Sequence, residues 1–214
     1  MLVKLRPKLR EGSPAPAQAS PVLPPLERIH RFSVKQYHQM IETGILGEND
    51  RVELLEGWIV AKMTHNPPHD GTIQLVHGEI EPRLSSEWFL RIQSAITLGK
   101  RKSEPEPDLA VVRGPIRRYL KAHPGTQDIG ALMEVADTSL QEDRLFKGPI
   151  YARAFIPVYW VINLLDSQIE VYTDPRGGRR AGYAKRQDYG IHDHIPLILA
   201  GREIARIPVR NMLP

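Results

Sequence analysis

Four residues in this sequence have the types and surroundings that metal or acid–base chemistry needs: Glu53, Asp108, Glu134 and Lys147. Glu134 lies within Ala131-Leu132-Met133-Glu134-Val135-Ala136, and Asp108 leads into Leu109-Ala110-Val111-Val112. Both are short aliphatic runs of the kind that form buried strands, and each carries one carboxylate where a core strand should be apolar. An ionised carboxylate there is costly unless it is paired or binds a cation. Hard divalent cations such as Mg²⁺ take oxygen ligands, commonly one or two carboxylates completed by water and substrate phosphate. Such an ion stabilises the charge on a phosphodiester under in-line attack, and a nearby lysine adds to that stabilisation. Asp108 and Glu134, followed by Lys147 on a helical segment, therefore point to a metal site.

The elements that must position these groups can be read from the pattern. Side chains alternate along a strand, so Met133 and Val135 face one way and Glu134 shares a face with Leu132 and Ala136. Pro107 forces an extended entry and sets Asp108 near a strand start. Glu53 belongs to a hairpin, Val52 to Leu55, the turn Glu56-Gly57, then Trp58 to Met63; a glutamate on such an edge is as readily solvated as functional. Ser139 to Phe155 reads as helical, with a kink or restart at Gly148-Pro149, and carries Asp143 and Lys147. Four residues apart, these two would in the ordinary alternative form a surface ion pair.

Elsewhere Ser33 caps a helix from Val34 to Thr43, ended by Gly44. The paired prolines of His65-Asn66-Pro67-Pro68-His69 predict a loop, and an amphipathic helix is expected from Asp70 toward Leu84 and Trp88, with Pro82 kinking or ending it. Strands are expected at Phe89 to Leu98, Pro107 to Val112, Ile129 to Ala136, Val158 to Asn163 and Gln168 to Tyr172, with three short ones near 182–186, 195–199 and 203–207. The expected fold class is α/β, a mixed central β-sheet flanked by helices.

Composition narrows the function classes. With 214 residues and 41% apolar content the chain can build a real core. The absence of cysteine excludes disulfides and thiolate metal sites. No apolar run approaches the roughly 18 residues of a membrane span, and no apolar signal core follows Met1, so a cytoplasmic protein is expected. The net charge of +4 arises from Lys4, Arg6, Lys8 and Arg10, which precede any acid and leave 25 basic against 25 acidic residues behind them. The basic balance therefore describes residues 1–27, a Pro/Ala-rich arm expected to be flexible, while residues 28–214 form the domain. Basic groups cluster at Lys100-Arg101-Lys102, at Arg113 with Arg117, Arg118 and Lys121, and from Arg176 to Arg186. Such groups can contact phosphates but are more often solvated. His65, His69 and His77 lie close together, yet the two prolines argue against a helical histidine pair, and no zinc spacing is evident.

The ordered set of motifs resembles the Uma family of restriction endonucleases in the PD-(D/E)xK nuclease superfamily. The resemblance rests on Val52-Glu53-Leu54-Leu55-Glu56-Gly57, the proline-rich loop ending in His69, Gln93, and Glu106-Pro107-Asp108-Leu109-Ala110-Val111-Val112. It continues through Met133-Glu134-Val135-Ala136-Asp137-Thr138-Ser139, Asp143, Lys147, Tyr151-Ala152 and Pro157 to Ile162. It implies a restriction-endonuclease-like sheet and a metal-dependent endonuclease cleaving DNA as a homodimer. It further implies Mg²⁺ or Mn²⁺ on Asp108, Glu134 and Val135, Glu53 and Lys147 as catalytic partners, and His69 and Gln93 against substrate. The superfamily motif would place a lysine at Ala136; Lys147 on the following helix stands in for it. The alternative, motivated by Ala136 and the formally neutral body, is a catalytically inactive nuclease-fold module that binds nucleic acid or protein.

Overall fold

The computed structural model describes residues 28–98 and 102–214; the expected N-terminal arm and two members of the first basic cluster, Lys100 and Arg101, lie outside the described residues. Six strands form the main sheet in the order β3-β4-β5-β6-β7-β8. They are β3 Trp88–Ile92, β4 Leu109–Arg113, β5 Ile129–Ala136, β6 Val158–Asn163, β7 Gln168–Arg176 and β8 Gly182–Gly190. Only β5 and β6 run parallel in this sheet; the other neighbours are antiparallel. A parallel pair cannot be joined by a tight turn and needs a crossover. Here the crossover consists of α3 Leu140–Glu142, a π-helical turn Asp143–Lys147 and α4 Gly148–Arg153.

The crossover puts helix over the sheet centre, so β5 is covered on both faces and all eight of its residues are buried. Ala131, Met133 and Val135 join Ile73, Val76 and Ile80 of α2 (Pro67–Ile80) in one apolar layer. The same layer takes Ile195, Leu197 and Leu199 from the two-stranded sheet of β9 His194–Leu199 and β10 Arg202–Pro208. Leu132 and Ala136 join Leu140, Ile150 and Tyr151 in the opposite layer, together with Leu55 of the hairpin β1 Val52–Leu55 and β2 Trp58–Ala61. Glu134 is therefore a carboxylate on the face covered by the crossover, as the strand alternation predicts. No helix among the described residues is long and apolar enough to cross a membrane.

Several boundaries differ from expectation; β7 and β8 run on to Arg176 and Gly190, and three differences lie near the candidate residues. The helix α1 is Val34–Glu42, capped by Ser33 as expected. The helix α2, however, begins at Pro67, with Asn66 as its N-cap accepting from the His69 N–H at 3.1 Å. The first N–H groups of a helix have no intrahelical acceptor, so Pro67 and Pro68 forfeit nothing and their fixed φ suits the position. The same helix stops at Ile80, and Pro82 lies in the 3₁₀ turn Glu81–Arg83 rather than in a kinked continuation. Finally β3 ends at Ile92, because Gln93 takes a φ of 42° that leaves the strand conformation.

The β1–β2 turn has positive φ at both central residues, 52° at Glu56 and 84° at Gly57, which matches the right-handed twist of a tight hairpin. A Cβ at Gly57 would stand 2.7 Å from Arg31 Cβ and 2.9 Å from the Phe32 carbonyl oxygen. Gly57→Ala combines a strained backbone with a clash against main chain, and a loss of about 1–3 kcal/mol is expected. The midpoint of urea unfolding should fall accordingly, with the slope of the transition unchanged.

Candidate active site

Asp108 sits immediately before β4, and the register Leu109↔Met133 brings it beside Glu134 at the same end of the β4–β5 pair. The two are tied through each other's backbone: Val135 N–H donates to Asp108 Oδ2 at 2.8 Å, and Asp108 N–H donates to Glu134 Oε2 at 3.4 Å. From β1, Glu53 accepts the Glu106 N–H at 3.0 Å. Its side chain is only 4% exposed, so the solvated-edge alternative does not hold. Lys147 Nζ lies 3.1 Å from Glu134 Oε1, 3.8 Å from Glu53 Oε1 and 3.9 Å from Asp143 Oδ1. Asp143 is buried too, so this pair is interior rather than a surface ion pair. All four candidates thus converge on one cleft of about 60 Å³, room for an ion or a few waters, which Val135, His69 and Gln93 also line.

The π-helical turn presents Asp143 and Lys147 to that cleft, and it has a local cause. Pro149 carries no N–H, and its ring would collide with the Leu145 carbonyl in a regular α-helix. The ladder widens instead, with Gly148 N–H donating to the Asp143 carbonyl five residues back. Such single wide turns occur often at functional sites. Tyr151, one turn further on, donates its hydroxyl to Glu134 Oε1 at 2.7 Å, and Ser139 donates to Asp143 Oδ2 at 2.7 Å. Ala136 at the motif-lysine position is fully buried in the apolar layer, and the ammonium arrives from the crossover.

Burial raises the Glu134 carboxyl well above its ordinary range, and the Asp108 and Asp143 charges add to this against Lys147 and the Tyr151 hydroxyl. Burial likewise pushes Asp143 up to about 6, opposed by Lys147 and Ser139. For Asp108 burial works upward as well, but the hydrogen bond and charge of His69, the Val135 N–H and Lys147 outweigh it and hold the carboxyl below its usual value. Burial would lower Lys147, yet Glu134, Glu53, Asp143 and Asp108 together raise it, so it stays an ammonium.

The histidines correct the sequence reading. Because α2 starts at Pro67, His69 falls in its first turn, and its ring stacks on His65 with centroids 4.2 Å apart and planes 22° apart. His69 Nε2 stands 3.2 Å from Asp108 Oδ2. One ligand atom each from His65, His69 and Asp108 lie within 4.8 Å of one another. The signal available in the sequence was Asn66-Pro67, a capping residue followed by proline, which marks a helix start. Gln93 contacts His65 Nδ1 at 3.0 Å. Asn66 Nδ2 donates to Asp137 Oδ2 at 2.6 Å, joining the helix start to the loop after β5. The sequence pattern offers Asp143 as a surface pair and a motif match and Tyr151 as a motif match, and their contact with the site has no local signature.

The basic clusters are partly spent on internal partners. Arg118 pairs with the buried Asp128 at 3.1 Å, and Arg113 lies over the Trp88 ring at 4.5 Å. In the third cluster Arg186 pairs with Asp188 at 2.7 Å and reaches Glu170 at 3.3 Å.

The family Uma2, described as "Putative restriction endonuclease", matches residues 34–203 of this chain. No curated protein matches. Among solved structures, a "putative nuclease belonging to DUF820" from Anabaena variabilis ATCC 29413 superposes with a TM-score of 0.52 at 14% identity, covering 80% of this chain and 94% of that one. At that identity the likeness shows a shared fold, a mixed sheet with helices on it.

Asp143 gives the cleft a pH signature. Its carboxyl titrates near 6 in the folded protein against an ordinary 3.8, so between these values the native state binds more protons than the unfolded one. Stability from this group therefore falls as pH rises through that window, by roughly 3 kcal/mol across it. Asp143→Asn removes the effect: urea unfolding at pH 4 and pH 7 should show the variant gaining on the wild type by up to that amount at the higher pH.

Proposed function

The chain belongs to the Uma2 family, and from that premise we propose that it is a divalent-metal-dependent endonuclease hydrolysing DNA phosphodiester bonds, acting as a homodimer. The observation that carries the reading is the position of Lys147 Nζ, 3.1 Å from Glu134 Oε1 and 3.8 Å from Glu53 Oε1. An ammonium from the crossover meets the acids in the place left open by Ala136, and this favours catalysis over the inactive binding module.

The donor set fits a hard divalent cation. Glu53, Asp108, Glu134 and Asp143 line the cleft around Lys147, and the other lysine there, Lys62, is paired with Glu106, leaving an excess of carboxyl groups that a divalent charge would balance. Asp108 and Glu134 would hold Mg²⁺ or Mn²⁺, with the Val135 carbonyl as a further oxygen. When bound, the ion supplies Lewis-acid stabilisation of the phosphate charge. Tyr151 and the Asp108 N–H fix the two Glu134 oxygens, and Val135 N–H and His69 fix Asp108 through Oδ2. Lys147, surrounded by carboxylates, keeps its protons and acts as a fixed positive charge facing the scissile phosphate rather than as a base. Glu53 holds Lys147 from the hairpin side and so sets the direction of that charge.

Incubation of the purified protein with plasmid, single-stranded DNA and RNA tests the reading, with Mg²⁺ or Mn²⁺ against chelator. Cleavage of DNA should require the metal, and Asp108→Asn, Glu134→Gln and Lys147→Met should each lower its rate by roughly 100-fold or more. Cleavage indifferent to chelator, or unaffected by these substitutions, would sink it.

A further inference from the structure

The lining of the same cleft also carries a donor set of a different kind. His65 comes from the segment before α2, His69 from its first turn and Asp108 from the start of β4. Ligand atoms from the three lie within 4.8 Å of one another. Metal–nitrogen bonds of about 2.0–2.1 Å put neighbouring ligands of a tetrahedral ion roughly 3.3 Å apart. Closing that gap asks for a rotation of His65, whose side chain is half-buried and sits in a segment outside the helix.

We propose that His65, His69 and Asp108 form a second cation site, one that takes a first-row divalent transition metal of the zinc class in preference to Mg²⁺. Imidazole nitrogen suits zinc and its neighbours, whereas Mg²⁺ wants an all-oxygen shell with several waters. His69 Nδ1 is buried with Asp70 Oδ1 facing it at 3.5 Å, so Nε2, 3.2 Å from Asp108 Oδ2, is the ring nitrogen offered to an ion shared with Asp108. The surrounding shell is of the kind that orients ligating histidines. Gln93 Nε2 lies 3.0 Å from His65 Nδ1, Asp70 Oδ1 lies 3.4 Å from the same nitrogen, and Asn66 pins the His69 backbone at 3.1 Å.

Asp108 would be shared between this site and the proposed catalytic one, which makes the histidine site a neighbour of the reacting phosphate. Its existence does not depend on the nuclease reading. A metal on the histidines would replace the direct contact between His69 Nε2 and Asp108 Oδ2, 3.2 Å apart.

The test uses the full chain stripped of metal and no DNA, so a failure of nuclease activity cannot be confused with a failure of this site. Zn²⁺ is titrated by calorimetry and Co²⁺ by visible absorption, whose ligand-field bands report nitrogen coordination. The wild type should bind one equivalent of Zn²⁺ at micromolar concentration or tighter, unchanged by a millimolar excess of Mg²⁺. His65→Ala and His69→Ala should each weaken it at least 10-fold and together abolish the Co²⁺ bands, while Glu134→Gln keeps them. His65→Ala, at the more exposed ring, guards against loss of fold, and urea midpoints verify each variant. No Zn²⁺ uptake by the wild type, binding indifferent to the histidine substitutions, or displacement by Mg²⁺ would overturn the proposal.

Discussion

The structure depends on the burial of several carboxyl groups around a single ammonium. Glu53, Asp108, Glu134 and Asp143 come from β1, the entry to β4, β5 and the π-helical turn, and each is at most 7% exposed. Removing such groups from water costs several kcal/mol per ion, and attraction to one lysine does not restore it for all of them. The fold tolerates the arrangement by feeding backbone N–H groups and hydroxyls to the carboxyl oxygens. Glu106, Asp108 and Val135 donate from the main chain, and Tyr151 and Ser139 from side chains. A site held this way is stabilised by its surroundings rather than stabilising them, which is the condition expected of a place kept for binding charge.

Beside the lysine stands a second ion pair, whose carboxylate is fully buried. Arg144 lies between Asp143 and Lys147 in the π-helical turn and donates from Nε to Glu170 Oε2 at 3.0 Å. Glu170 on β7 has no exposed surface and also receives Tyr172 OH at 2.6 Å and Asn163 Nδ2 at 3.0 Å. This carboxylate is satisfied by hydrogen bonds and paired with arginine, and it sits at the lower end of the carboxyl range despite burial. The turn is thus clamped to the sheet through Arg144 while Lys147 reaches the cleft. Tyr159 adds a hydrogen bond to the Asp143 carbonyl at 3.2 Å. A wide helical turn would be a soft element alone; these contacts leave it little freedom.

Much of this was legible in the sequence, for definite reasons. A carboxylate inside Leu-Met-Glu-Val-Ala breaks an apolar pattern, and strand alternation alone assigned its face correctly. The β5-helix-β6 order followed from the apolar runs around Ser139 to Phe155. The rest is not legible for two reasons. One residue can have two meanings: Pro67-Pro68 breaks a helix interior but suits its first turn, so the pairing of His69 with His65 does not show in the sequence. Where meaning lies in long-range contact, local pattern carries nothing. Glu170 alternates with Ile169 and Val171 as a solvent-facing strand residue would, yet it is fully buried because Arg144 covers it from the crossover.

Ala136 shows what the fold constrains. A lysine there would leave β5 on the same face as Glu134, two residues on, and reach the acids directly from the strand. In this chain that position belongs to the apolar layer shared with Leu140 and Ile150, and a long cationic side chain would have to displace part of it. The crossover passes over the same face, and its wide turn carries Lys147 to 3.1 Å from Glu134. The position of an ammonium relative to the carboxyl groups is therefore met from a different backbone segment, while the strand keeps its packing. Such an exchange is available because β5 and β6 are parallel: the connection between them must cross the sheet above Glu134, and any residue on its inner side can serve. The feature held fixed is a charge in space, and the residue number that supplies it is free to move.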